Sequence, residues 1–201
     1  MSAFEYKEYV AKSDIQIDSI SSAEPKFRYS LRIPFKREGT EVALVVMMNP
    51  SKADRDNSDR TVNNVLKRIY KECVSVKEVV IVNLYPIYET YSSKLALHEE
   101  QGGINISKIY SLIPEANFAL LGWGKPNKFS DKKLKNIKYF DFAKNILIKL
   151  IDKKIPAYKV GHCVENLYPR HLGRASFATG MSEVNLNELV EGLNGKLLSI
   201  V

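Results

Sequence analysis

Four short apolar runs punctuate this chain, and each breaks off into polar or turn-forming residues. Residues 42–48 run into Asn49-Pro50-Ser51, and residues 79–82 into Asn83-Leu84-Tyr85-Pro86. Phe118–Leu121 runs into Gly122-Trp123-Gly124, and Ala157–Val160 into Gly161-His162. Runs this short without polar alternation are expected of strands covered on both faces. Between them the spacing changes to that of a helix. Val62, Val65, Leu66, Ile69, Tyr70 and Cys73 share one face, with Ser58 or Asp59 available as the N-cap. Leu134, Ile137, Phe142, Ile146, Leu147 and Leu150 predict one long amphipathic helix over residues 131–152.

Strands alternating with helices predict a three-layer α/β/α domain around an open, mostly parallel sheet. In such a sheet all four polar clusters fall on one edge, outside the carboxyl ends of the strands, where open α/β folds bind ligands. The pattern locates a site before it says what the site does.

The remaining segments are less sharply patterned. Tyr29, Leu31, Ile33 and Phe35 alternate with Arg28, Ser30, Arg32 and Pro34, the period of a strand with one wet face, and Pro34 places it at a sheet edge. Residues 1–26 read as a loosely packed lead-in to a single domain over residues 1–201. A short helix is expected over 104–113, a last helix over 185–193 and a terminal strand over 196–200. The long stretch over 85–103 holds Tyr85, Tyr88, Tyr91 and His98.

Composition narrows the class. With 201 residues, 45% of them apolar and 26% charged, the chain suits one globular domain. No apolar run reaches the roughly 20 residues that span a bilayer, and residues 1–8 lack a basic segment followed by an apolar one, so a cytoplasmic protein with no membrane partner is expected. Cys73 and Cys163 have no metal-type spacing and fit a reducing compartment. Net charge is +7. Residues 125–174 hold thirteen Lys/Arg against four Asp/Glu, which is either a surface for a polyanion or the solvated face of a helix carrying Lys132, Lys133, Lys135 and Lys138.

The strand-end residues carry the candidate chemistry. The Asn49 carboxamide can hold a water or read a base edge, or it can simply fasten the turn that Pro50 stiffens and Ser51 continues. Asp54, Asp56 and Asp59 could hold a divalent cation, although Asp59 suits a helix cap better; no cofactor or metal is expected. Asn83 beside Tyr85 pairs a hydrogen-bonding head with a flat surface, a combination suited to a nucleobase, or else Tyr85, Tyr88 and Tyr91 are packing residues with wet hydroxyls. Trp123 either walls a pocket or packs in the core, and Gly122 and Gly124 permit close backbone approach. His171, between Arg170 and Arg174, sits in an electropositive setting suited to phosphate or to charge developing on a carbonyl oxygen. Neither a Gly-x-x-x-x-Gly-Lys phosphate loop nor a Gly-x-Gly-x-x-Gly turn is present, which disfavours ordinary nucleotide triphosphatases and hydride-transfer enzymes.

Taken in order, Arg28-Tyr29-Ser30-Leu31-Arg32, Met48-Asn49-Pro50-Ser51-Lys52-Ala53-Asp54, Asp59-Arg60-Thr61, Val82-Asn83-Leu84-Tyr85, Gly122-Trp123-Gly124 and Pro169-Arg170-His171 resemble the bacterial and phage domain-of-unknown-function family 1643. The order of strand-end Asn-Pro, strand-end Asn, Trp-Gly and a late His is also similar, more distantly, to the uracil-DNA glycosylase superfamily. That resemblance implies a uracil-DNA-glycosylase-like fold. It further implies that Asn49 positions a hydrolytic water, Asn83 reads a base and His171 stabilises the departing anion. The pattern differs at Met48, where Gly is usual, and at Leu172-Gly173, where His-Pro-Ser-Pro is typical.

The expectation is a protein that binds a nucleobase or nucleic acid and hydrolyses an N-glycosidic bond. Asn49 and His171 would be catalytic, and Pro50, Ser51, Asp59, Asn83, Tyr85, Trp123, Gly124, Arg170 and Arg174 would bind. The alternatives are a non-catalytic binding module and, with least support, a metal-dependent phosphohydrolase on Asp54, Asp56 and Asp59.

Overall fold

The computed structural model describes residues 4–21, 26–88, 99–125, 130–136 and 138–199. Seven strands form one sheet: β1 (Gln16–Ile20), β2 (Phe27–Pro34), β3 (Glu41–Met47), β4 (Val76–Asn83), β5 (Phe118–Leu121), β6 (Ala157–Val160) and β7 (Met181–Glu183). Their order is β1-β2-β4-β3-β5-β6-β7. The four apolar runs form the parallel centre, β4-β3-β5-β6, as their lack of alternation predicts. The outer strands pair antiparallel, β2 on β4, β1 on β2 and β7 on β6.

Helices cover both faces. α1 (Arg60–Glu72) joins β3 to β4 and packs on one face, where Val62, Val65, Leu66 and Ile69 meet Val45, Ile81 and Leu120. On the other face lie α2 (Glu99–Leu112), α3 (Asp131–Asn136), α4 (Tyr139–Asp152) and α5 (Leu186–Leu198), with Ile109, Ile146, Leu147 and Leu193 packed on Leu44, Val46 and Leu121. Among the described residues, no helix is long and apolar enough to cross a membrane.

The outer parts depart from the expectations. Within the expected lead-in, Gln16–Ile20 pairs along β2, and Val10 and Ile15 are buried in the α1-side core. That added strand makes β2 an interior strand. Pro34 is accommodated because it is the last residue of β2, where its carbonyl accepts from the Ala11 amide at 2.9 Å. The long helix over 131–152 is two helices. Lys138 stands between them with φ +54°, and the turn lets the adjacent Tyr139 and Phe140 both enter the core. The expected terminal strand is helix instead, since Leu186, Leu189, Val190, Leu193 and Leu197 continue one helical stripe on the core.

One irregularity bears directly on the site. Between β1 and β2 the register passes from Asp18 opposite Ser30 to Ser19 opposite Arg28, so Tyr29 is an extra residue on β2. Because side chains alternate, one extra residue changes which face the following positions address. Tyr29 and Leu31 accordingly pack in different cores, and Arg28 lies with the residues of the α1 side.

Two glycines test the packing in opposite directions. A Cβ at Gly39 would stand 2.4 Å from the backbone oxygen of Ser75, whereas one at Gly103, inside α2, meets nothing within 4 Å. Gly39→Ala is expected to destabilise the fold by about 1 kcal/mol or more, and Gly103→Ala to stabilise it by about 0.5–1 kcal/mol, read by denaturant unfolding.

Candidate functional site

The strand ends are stitched together by their own main chain. Leu84 and Tyr85 amides donate to the carbonyls of Met47 and Met48, each at 2.9 Å, and the Gly122 amide donates to Val46 at 2.9 Å. The Gly124 amide donates to Pro169 at 2.8 Å, which draws the segment carrying His171 onto the end of β5. Gly124 adopts φ +66° with His171 directly against it, and a Cβ at Gly173 would strike Thr61 Oγ1 at 2.5 Å. These close approaches seat the His171 turn on the N-terminus of α1.

Asp59 sits at the middle of this arrangement. Its Oδ1 accepts from the Val62 amide at 2.9 Å and caps α1, and its Oδ2 accepts from the Ser51 hydroxyl. Its negative charge also acts on His171 and on Arg28. Ser51, Asp59 and His171 are therefore brought together, all partly exposed, at the mouth of the loop that begins with Asn49. Asn49 is partly exposed too, with its amide donating to the Pro50 carbonyl at 3.3 Å; Pro50 itself is buried beneath the turn.

His171 is held in a defined state. Its Nδ1 accepts from the Gly173 amide at 3.2 Å, so in the neutral ring the proton resides on Nε2. Burial pushes its pKa below 6.5, Arg174 pushes the same way, and Asp59 opposes both. At neutral pH the group is an uncharged donor. Arg170 and Arg174 are exposed beside it, and Lys52 and Arg60 are exposed on the Asn49 loop and at the start of α1.

Next to these residues lies a polar layer only part of which the sequence suggests. Asn83, the last residue of β4, is 0% exposed, and so is Arg28. Arg28 donates from Nη1 to the Ala53 carbonyl at 2.6 Å and from Nη2 to Asn83 Oδ1 at 3.3 Å, with the ring of Tyr88 5.7 Å from its guanidinium carbon. Burial lowers the Arg28 pKa, opposed by Tyr88, Asp59 and Tyr6. Arg28 falls on the polar phase of the β2 alternation and so reads as a solvated residue. Only the bulge at Tyr29, which the sequence does not announce, turns it inward.

Other expected residues lie elsewhere. Tyr85 and Trp123 are core residues, 3% and 1% exposed, Tyr85 edge-on to Phe142 and Trp123 in the apolar cluster with Tyr139 and Tyr168. Neither ring presents a face for stacking, because the strand ends that carry them are roofed by α4 and by the segment around Tyr168. Tyr91 and His98 lie outside the described residues, and His162 is exposed after β6. Asp54 closes its own turn, its Oδ1 accepting from the Asp56 and Asn57 amides at 2.8 and 2.7 Å. Among the described residues, no group of three or more His, Cys, Asp or Glu is placed to hold a metal ion. A cavity of about 630 Å³ lies on the opposite edge of the sheet, between the ends of α4 and the start of α5, far along the strands from these groups.

The His171 geometry sets a pH dependence. The folded state holds His171 below its unfolded value near 6.5, so the unfolded chain binds the proton first and stability falls as pH drops through that value. The full contribution is present above about pH 6.5. Asp59→Asn, which still caps α1, removes the one charge that favours the imidazolium and is expected to lower the His171 pKa further, read by NMR titration of the ring protons.

No curated protein and no solved structure matches the chain. A family's sequence pattern does match it over residues 28–159, which takes in Arg28, Asn49, Asp59, Asn83 and Trp123 and stops short of His171. On that match the chain belongs to the family described as protein of unknown function, DUF1643.

Proposed function

We propose that this protein binds a nucleobase within a nucleotide or single-stranded nucleic acid at the carboxyl edge of its sheet and hydrolyses the N-glycosidic bond, with a uracil-DNA-glycosylase-like fold. The observation that supports it most is the state of His171: an uncharged ring whose Nε2 carries the proton, partly exposed, next to the Asn49 loop. A departing base carries its negative charge onto a carbonyl oxygen, and a preorganised neutral donor stabilises that charge without first losing a proton.

In this reading the Asn49 carboxamide oxygen orients a water toward the anomeric carbon. As the C–N bond breaks, its electron pair leaves with the base and Nε2–H of His171 donates to the base oxygen. The water adds to the sugar and releases its proton to solvent or to the departing base. Arg170 and Arg174 flank His171, and Lys52 and Arg60 lie on the Asn49 loop and at the start of α1, all four exposed. Contacts from them to phosphates would offset the few kcal/mol that extruding a base costs.

A specific feature favours the second reading, a binding module without hydrolysis. Both oxygens of Asp59, the carboxylate nearest His171 in effect, are already occupied by Val62 and Ser51, so it is poorly placed to take a proton from water.

Incubation with single-stranded DNA containing uracil, and with a panel of modified bases, separates the two. Release of free base, reduced about 10²–10³-fold by His171→Ala and comparably by Asn49→Ala with melting temperature preserved, supports the glycosylase. Binding without release by the wild type leaves the module; absence of both binding and release would rule out either reading.

A further inference from the structure

Resting on the nucleobase reading above, we propose that Arg28 and Asn83 together form a reading head made only of hydrogen-bond donors, which takes the keto oxygen of a base and rejects an exocyclic amino group. Both side chains are wholly buried. Of the Arg28 nitrogens, Nη1 is taken by Ala53 and Nη2 by Asn83 Oδ1, while Nε has no partner. A guanidinium has no acceptor, so the carboxamide must turn its oxygen toward it; the reverse orientation would set an NH2 group against a cation. Asn83 Nδ2 is thereby aimed elsewhere, and it too has no partner.

Two unpaired donors joined through one hydrogen bond are exceptional in a folded interior, where buried polar groups are nearly always satisfied. Arg28 also forms no ion pair with a carboxylate among the described residues; the Tyr88 hydroxyl, hydrogen-bonded to the guanidinium, and the charge of Asp59 favour its cation against burial. A third orphan, Asn105 Oδ1, belongs to α2, whose amide is committed to the main-chain oxygens of Asn83 and Leu84 at 2.8 and 3.1 Å. What Arg28 Nε and Asn83 Nδ2 lack is an acceptor.

A neutral flat acceptor fits better than a phosphate. The Tyr88 ring already stands over the guanidinium, and the Tyr6 hydroxyl, which donates to the Asp54 carbonyl at 2.6 Å, is close enough to feel the Arg28 charge. A base would take the place of the Tyr88 ring over the guanidinium, with Tyr88 turning aside. A phosphoryl group would have to surrender all its water to reach the same donors. Because Asn83 spends its oxygen on Arg28, it cannot also accept from a ring N–H, as a carboxamide reading uracil with both atoms would. Guanine O6 and the O4 of uracil and thymine carry no hydrogen; at those same ring positions adenine and cytosine carry an amino group, and donor would meet donor there.

The test uses the intact protein and single-stranded 9-mers built of abasic tetrahydrofuran units, each with one central base: guanine, uracil, adenine or cytosine. Equilibrium binding is expected to favour guanine and uracil at least tenfold over adenine and cytosine. Asn83→Asp, whose carboxylate still pairs with Arg28 but donates nothing, is expected to erase that preference. Equal or tighter binding of adenine or cytosine overturns the inference and leaves the nucleic-acid reading standing. So does a wholly abasic strand that binds as tightly as the rest, which would assign the head to phosphate. A preference that survives Asn83→Asp, in a variant of unchanged melting temperature, overturns the role of Asn83. If no strand binds, the nucleic-acid reading falls with it.

Discussion

One carboxylate organises the carboxyl edge of this sheet. Asp59 closes the first turn of α1 through one oxygen and holds Ser51 through the other. In doing so it pins both ends of the loop that leaves β3, and the geometry of Asn49 and Pro50 follows from that closure. The same charge acts on the His171 ring on one side and the Arg28 guanidinium on the other. A helix cap normally contributes about 1 kcal/mol and little else. Here it is also the electrostatic reference for two groups that arrive from opposite ends of the chain.

The fold supports this convergence by separating its layers. Parallel strands β4, β3 and β5 end side by side, so their last residues share one rim. The face occupied by α1 carries Arg28, Asn83 and Asp59 at that rim, whereas the face occupied by α2, α4 and α5 is built mainly of apolar side chains there and absorbs Tyr85 and Trp123. The division explains why aromatic residues next to a strand end need not line a site: the layer that covers them decides, and residue type does not.

Much of this was legible in the sequence. The four central strands, the helix α1 with its Asp59 cap and the common edge all follow from uninterrupted apolar runs and helical spacing, because burial on two faces leaves an unmistakable pattern. What escaped depended on partners distant in sequence. β1 is short and polar enough to pass for coil until β2 is there to pair with it. The break at Lys138 depends on a residue held at positive φ by tertiary packing. Arg28 sits in a polar phase that a single bulge inverts. The family match, ending at residue 159, likewise does not reach the turn that delivers His171.

The two borders of the sheet behave differently from its centre. β7 offers three residues, and β1 is interrupted by the register shift at Ser19 and carries Asp18 paired with Lys108. Among the described residues, neither rim presents a long, flat ladder of unsatisfied amides and carbonyls for another chain to extend. Self-association of this molecule through a continued β-ladder is thereby discouraged, and contacts with copies of itself are left to its side chains.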